Sequence, residues 1–235
     1  MKQDQAIDNE CPNGILLVDK ACGITSHGVV SYVRRRFGIK KVGHAGTLDP
    51  NATGVLVILI GKATKLSATF LNQDKEYRAV MKLGVRTDSG DLTGEVIKTG
   101  EVKVSASDVV KTVESFSGEI EQVPPMFSAK KVDGKKLYKL ARKGIEIKRQ
   151  PVKITIKEIE VMGVDMPMVT FRVVCTKGTY VRQLADDMGE KLKVGASLME
   201  LRRTRSGDFD LSSSVTMDEL SKMDKKTLYE NISRI

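Results

Sequence analysis

The chain has 235 residues, 40% of them hydrophobic, which is enough for a buried core and excludes global disorder. Its longest purely apolar run, Val55–Ile60, is six residues, far short of the roughly 20 that a membrane helix needs. Thirty-nine Lys and Arg against 30 Asp and Glu give a net charge of +9, a balance that attracts polyanions but is shared by many proteins that bind no nucleic acid.

The first 13 residues read as a polar tail, and no apolar stretch follows the first charges of MKQDQAIDNE. No secretory signal is therefore expected, and the expected compartment is the cytoplasm. Gly14–Asp19 predicts a strand. Thr25 or Ser26 is placed to cap a helix with the apolar stripe Val29, Val33 and Phe37, stopped by Gly38. Arg34 to Arg36 then point away from the core. The loop from Lys40 to Gly54 holds three glycines and a proline and empties into the β-branched run Val55–Ile60, a buried strand.

Further on, Tyr77, Ala79, Met81 and Leu83 alternate with Glu76, Arg78 and Lys82, the period of a half-buried strand. Ser107–Phe116 predicts a helix, Val152–Val161 and Val169–Cys175 predict strands, and Thr179 is placed to cap a helix carrying Val181, Leu184, Ala185, Met188 and Leu192. Thr216 and Glu219 match a capping box. No βαβ period or internal repeat is present, so the expected class is α+β with a mixed or antiparallel sheet. Cys11, Cys22 and Cys175 form no CxxC pair, and His27 and His44 lie near no other ligand at metal spacing. Reduced thiols and no metal are expected.

Two segments carry chemistry. Between Pro124 and Arg149 stand nine basic residues and two acids, a net +7. The run opens on Pro124-Pro125, interleaves Phe127 and Tyr138 with lysine doublets, and has a thin apolar stripe. It reads as an RNA-gripping excursion that is mobile when empty, the alternative being a solvated charge run. The second segment is GHAGTLDPNATG, Gly43–Gly54. Its Asp49 lies in a Gly-rich loop before a buried strand and could be a nucleophile or base. By generic chemistry an Asx-turn aspartate that only shapes the loop is the commoner role. A phosphate-binding P-loop fails, because no GK[ST] follows.

GHAGTLDPNATGVL, with KATK after it, resembles the catalytic motif of the bacterial TruB pseudouridine synthases. LLVDKACGITSH precedes it. KEYRAVMKLGVRTDSGDLTGE, VPPMFSAKKVDGKKLYKLARKG, KGTYVRQLADDMGEKL and LRRTRSG follow in order, so the likeness runs from about Gly14 to Phe209. It implies a pseudouridine-synthase-like α+β domain over 14–235. The central sheet would be mixed but mostly antiparallel, flanked by helices and loops, with 124–149 as an RNA-clamping insertion. The implied reaction is isomerisation of the T-loop uridine of tRNA (uridine-55), with no cofactor. The resemblance makes Asp49 the catalytic aspartate, Tyr77 the base-stacking and proton-moving tyrosine, and Arg182 the arginine that pairs with that aspartate. His44, Tyr180 and Leu201 would line the uridine pocket or hold the opened loop, and Lys20 would support the catalytic loop.

Arg182 sits in the first turn of its helix, where the macrodipole disfavours a cation. Asp186, four residues on, is the local alternative partner. Lys130, Lys131, Lys135 and Lys136 are the expected phosphate-gripping residues of the clamp. Only some 25 residues follow Asp210, so no C-terminal PUA domain is expected. The expected partner is tRNA at its T-arm and elbow, met by a monomer with no membrane or metal. Two alternatives remain: a synthase acting on rRNA or with a guide RNA, and a catalytically silent tRNA-folding chaperone.

Overall fold

The structure, a computed structural model, describes residues 12–128, 130–132 and 134–234, and only the backbone of Lys131. Most of the expected tail, residues 1–11, lies outside the described residues.

In chain order the elements begin with β1 (Gly14–Lys20), α1 (Ser26–Phe37), β2 (Val42–Ala45), β3 (Thr53–Ile60), α2 (Ser67–Leu71), β4 (Lys75–Leu83), β5 (Val85–Thr87) and β6 (Val96–Thr99). There follow α3 (Ala106–Glu114), β7 (Gly118–Gln122), β8 (Lys131–Val132), β9 (Lys135–Lys136), α4 (Leu137–Ala141), β10 (Val152–Asp165), β11 (Met168–Cys175), α5 (Val181–Lys191) and β12 (Ala196–Ser206). The chain closes with β13 (Phe209–Asp210), β14 (Val215–Thr216), α6 (Met217–Lys222), α7 (Lys225–Glu230) and β15 (Ser233–Arg234). No described helix is long and apolar enough to cross a membrane. The chain forms two compact units, one from residues up to 73 with 205 onward and the other from Asp74–Thr204.

In the first unit β1 runs antiparallel to β3 along its whole length, from Gly14 opposite Ile60 to Lys20 opposite Gly54. On its other edge β1 takes β14 in parallel at Val18 and Asp19, and β15 antiparallel at Gly14 and Ile15. That parallel pair makes this unit's sheet mixed; the pairings with β15, β3 and β2 are antiparallel. Both faces of β1 and β3 are covered. Leu16, Val18, Leu56, Ile58 and Ile60 meet Val29, Val30, Val33 and Phe37 of α1 with Leu220 and Leu228. Ile15, Leu17, Val55, Val57 and Leu59 meet Ala45, Ala63, Phe70 and Phe209 on the opposite face. Two covered faces are why VLVILI is apolar throughout instead of alternating. The helix α1 starts and stops at its sequence signals. The Thr25 hydroxyl accepts from the Gly28 N–H at 2.9 Å, and Gly38 takes the left-handed conformation at φ 68°.

The second unit has the strand order β12-β4-β11-β10-β7. The pairs β4–β11, β11–β10 and β10–β7 are antiparallel. One face is packed: Ala79, Met81 and Leu83 of β4, Phe171 and Val173 of β11, and Ile154 and Ile156 of β10 bury against Val109 and Val113 of α3 and Leu184, Ala185 and Met188 of α5. The opposite face of β4 and β11 is mostly polar, with Glu76, Arg78, Lys82, Thr170 and Arg172 beside Val80 and Val174. Gly189 lets α5 dock closely, since a Cβ there would lie 2.1 Å from the Ala196 nitrogen.

Two local expectations are corrected. The loop from Lys40 to Gly54 contains a strand: β2 pairs with β3, Val42 opposite Ile60 through Ala45 opposite Val57. A long-range partner supplies it, which loop composition does not reveal. Thr179 does not cap α5. Its hydroxyl donates to the Thr176 carbonyl at 2.9 Å, and the cap position is Tyr180, which has no side-chain cap bond.

Candidate active site

In the first unit the backbone around Asp49 is fixed from both sides. The buried Ser26, at the start of α1, accepts a hydrogen bond from the Leu48 N–H at 2.8 Å and donates to the Leu48 carbonyl at 3.0 Å. The Pro50 carbonyl accepts from the Gly23 N–H at 2.9 Å and from the Lys20 ammonium at 2.9 Å. The Asp49 carbonyl accepts from the Ala52 N–H at 3.1 Å, which closes a tight turn. Lys20 is 0% exposed and also donates to the carbonyls of Ala21 (2.9 Å) and Ile24 (2.8 Å). A buried ammonium is tolerated only when its donors are met. Here three carbonyls meet it, two from the turn after β1 and one, Pro50, from the Asp49 loop itself. The Asp49 side chain, half-buried, is thus carried on a backbone with little freedom. His44 stands on β2 opposite Ile58, five residues before Asp49.

In the second unit Arg182 is 5% exposed, at the second position of α5. Its Nη1 donates to the Ser89 carbonyl at 2.7 Å and its Nη2 to the Phe127 carbonyl at 2.8 Å, while Nε lies 3.7 Å from Asp91 Oδ2. Asp186, the partner suggested by sequence spacing, is engaged by Arg86 instead, at 2.7 Å to Nε and 2.9 Å to Nη2. Asp91 is itself oriented, accepting from the Ser89 hydroxyl at 2.9 Å and the Thr93 N–H at 3.0 Å. Tyr77, on β4 opposite Val173, and Leu201, on β12, are partly buried against the same core that holds α5. Tyr180 is fixed through its backbone by the Gln122 amide. The structure therefore gathers Asp49, His44 and Lys20 in the first unit, and Tyr77, Tyr180, Arg182 and Leu201 in the second.

Close to Tyr77 along β4, Lys75 is buried directly opposite Cys175. Burial, and then the charge of Arg203, pull the Lys75 ammonium down to about 8, while burial pushes the Cys175 thiol up to about 11. A thiol held protonated in this way is a packing group rather than a nucleophile.

The basic excursion is built differently. Pro124, Pro125, Met126 and Ser128 at its entry are buried, but Lys135, Lys136, Lys139 and Lys143 line an open cleft of about 450 Å³ with Gly134, Leu140 and Ile145. The ammonium of Lys136 and the guanidinium of Arg142 lie 5.8 and 5.5 Å from the Tyr138 ring centre. Leu137 of α4 is fully buried, a firmer anchor than the thin stripe suggested.

Sequence reasoning read Ser26 only as a possible helix cap, and it did not single out Asp91 or Gln122. For Gln122 a signal existed: it shares the inward register of β7 with Ile120, where an apolar residue belongs.

A solved structure with this fold is "Crystal Structure of a Cbf5-Nop10-Gar1 Complex", with a TM-score of 0.73 and 31% identity over 94% of this chain and 60% of that chain. The sheet and the GTLDP loop define the class, a pseudouridine synthase. A model described as "TruB family pseudouridylate synthase (N terminal domain)" matches residues 34–181, and one described as "tRNA pseudouridylate synthase B C-terminal domain" matches residues 182–233. The chain belongs to the TruB family. A relative named tRNA pseudouridine synthase B from Syntrophotalea carbinolica is 48% identical over 90% of this chain and 69% of its own length. Another of that name, from Endomicrobium trichonymphae, is 47% identical over 91% of this chain and 93% of its own length.

Proposed function

We propose that this protein isomerises the T-loop uridine of tRNA, uridine-55, to pseudouridine, with Asp49 as the catalytic carboxylate. The observation that carries this reading is the pinning of Leu48 and Pro50 on either side of Asp49, inside the motif that the TruB family uses. The N1–C1′ bond of the uridine breaks, the uracil turns, and a C5–C1′ bond forms. The C5 proton leaves and N1 ends protonated, so atoms and electrons balance without a redox partner. Such a reaction needs one carboxylate of fixed direction and a site that keeps water from the freed base.

Tyr77 serves as the platform on which the extruded base stacks, worth roughly 1–3 kcal/mol, and its hydroxyl takes part in moving the C5 proton. Arg182 serves the carboxylate, and its own hydrogen bonds to Ser89 and Phe127 hold it rigid for that task. His44, Tyr180 and Leu201 shape the uridine pocket. Residues 14–235 act as the catalytic domain, and 124–149, through Lys130, Lys131, Lys135 and Lys136, grips the phosphates of the T-arm. The protein works as a monomer in the cytoplasm.

The name shared by relatives near 48% identity favours tRNA over rRNA or a guided substrate. The test is incubation of the purified protein with unmodified tRNA, followed by mapping of pseudouridine. One modified position in the T-loop is expected. Modification confined to rRNA, or tRNA refolding without modification, would overturn the reading.

A further inference from the structure

The first turn of α5 presents Arg182, yet this helix has no side-chain cap of its own. A helix start without a cap is free to fray or shift. What holds it is the carboxamide of Gln122, the last residue of β7. Tyr180 donates its N–H to Gln122 Oε1 at 2.8 Å, and its carbonyl accepts from Gln122 Nε2 at 3.1 Å. That carbonyl also receives the Leu184 N–H at 3.0 Å, so both of its lone pairs are used. Gln122 is 1% exposed, and its backbone is registered opposite Val152 in the sheet. The amide is therefore a rigid two-point clamp carried on a sheet strand, buried in the register of β7 that would otherwise take an apolar side chain.

Five residues further along, the Phe127 carbonyl accepts from Arg182 Nη2 at 2.8 Å. The chain leaving β7 is thus tied to the α5 start at the Tyr180 backbone and at the guanidinium. This same chain runs directly into the basic excursion.

We propose that Gln122 is a positioning residue for the isomerisation: it fixes the start of α5, and through it the place of Arg182. The inference rests on the function proposed above. Its chemistry is specific. An amide offers a donor and an acceptor side by side, matching one residue's N–H and carbonyl; a carboxylate offers only acceptors, and a thioether offers neither at useful strength. Displacing a catalytic group by about 1 Å costs on the order of 10²-fold in rate. Loss of the clamp is therefore expected to slow the chemical step by roughly 10- to 100-fold while leaving tRNA affinity alone, because affinity comes from phosphate contacts elsewhere.

The experiment compares full-length wild type, Gln122→Met and Gln122→Glu with unmodified tRNA as the probe. Single-turnover rate at saturating enzyme, tRNA Kd and melting temperature are measured for each. The expected result is a rate reduced at least about tenfold in both variants, with Kd within about twofold of wild type and cooperative melting retained. Gln122→Glu keeps the size and one acceptor, so it reports on the clamp if Gln122→Met folds poorly. A wild-type rate in Gln122→Glu, a loss confined to Kd, or a rate that falls only with the folded fraction would overturn the inference. A wild type that leaves tRNA unmodified would instead overturn the proposed function, which separates the two failures.

Discussion

The Asp49 loop and the basic excursion are both glycine-containing, irregular segments, yet they are held in opposite ways. Around Asp49 the N–H and carbonyl of Leu48 and the carbonyls of Asp49 and Pro50 all have partners, two of which are the buried side chains Ser26 and Lys20. In the excursion, among the described residues, the Leu137 and Tyr138 N–H groups bond back to the Lys130 and Ser128 carbonyls and Leu137 is buried, while Lys135, Lys136, Lys139 and Lys143 stand open around a cleft. On the proposed function, the difference follows from the task. A bond-making carboxylate loses rate steeply with misplacement, whereas ammonium groups gripping a phosphate backbone act over a Debye length and tolerate motion.

That comparison can be broken first at Asp49. Asp49→Asn keeps the turn and removes the carboxylate, so single-turnover isomerisation is expected to fall by more than about 10⁴-fold, measured as pseudouridine formed per tRNA. Tyr77→Phe comes next. The ring still stacks, but the hydroxyl is gone, and a loss of roughly 10²–10⁴-fold in rate with unchanged tRNA affinity is expected. A near-wild-type rate would leave Tyr77 only the platform role.

Lys20→Met sharpens the account of the rigid side. It strips the ammonium from the carbonyls of Ala21, Ile24 and Pro50. Denaturant melts are expected to show a loss of about 1–3 kcal/mol, along with slower turnover. Lys20→Arg is expected not to restore either, because a planar guanidinium cannot reach three converging carbonyls in the ammonium's place.

The effect furthest from turnover is a pH dependence of stability. Lys75 is pulled to about 8 folded against 10.5 ordinarily, by burial first and Arg203 second. Between those values the unfolded chain binds more protons than the folded one, so stability rises with pH across that window. Melting temperature of Lys75→Met, followed over the same range, is expected to lack this contribution.

Much of the fold was legible because its signals are local. The Thr25 cap, the Gly38 stop, the Thr216–Glu219 box and the VLVILI run each act within a few residues, and each has the structure those signals predict. What was not legible depends on partners far along the chain. β2 exists through β3, Arg182 takes carbonyls from residues 89 and 127, and the backbone just before α5 is tied to residue 122. The candidate site residues came from a motif resemblance, not from spacing alone. In isolation Asp49 reads as a turn former and Tyr77 as core. Lys20 shows the limit most clearly, since a lysine after an apolar strand gives no hint that it is fully buried.

The central claim is that chemistry and grip reside in separate segments, and one paired measurement tests it most directly. Asp49→Asn and a variant with Lys130, Lys131, Lys135 and Lys136 all changed to Gln are compared for tRNA Kd across a salt series and for single-turnover rate at saturation. The account predicts a crossed result. Asp49→Asn keeps the wild-type salt slope and loses turnover. The lysine variant keeps most of its saturated rate and loses roughly 0.7–0.9 from the slope of log K against log salt for each phosphate contact removed. An unchanged slope in the lysine variant, or substantial turnover in Asp49→Asn, would contradict it.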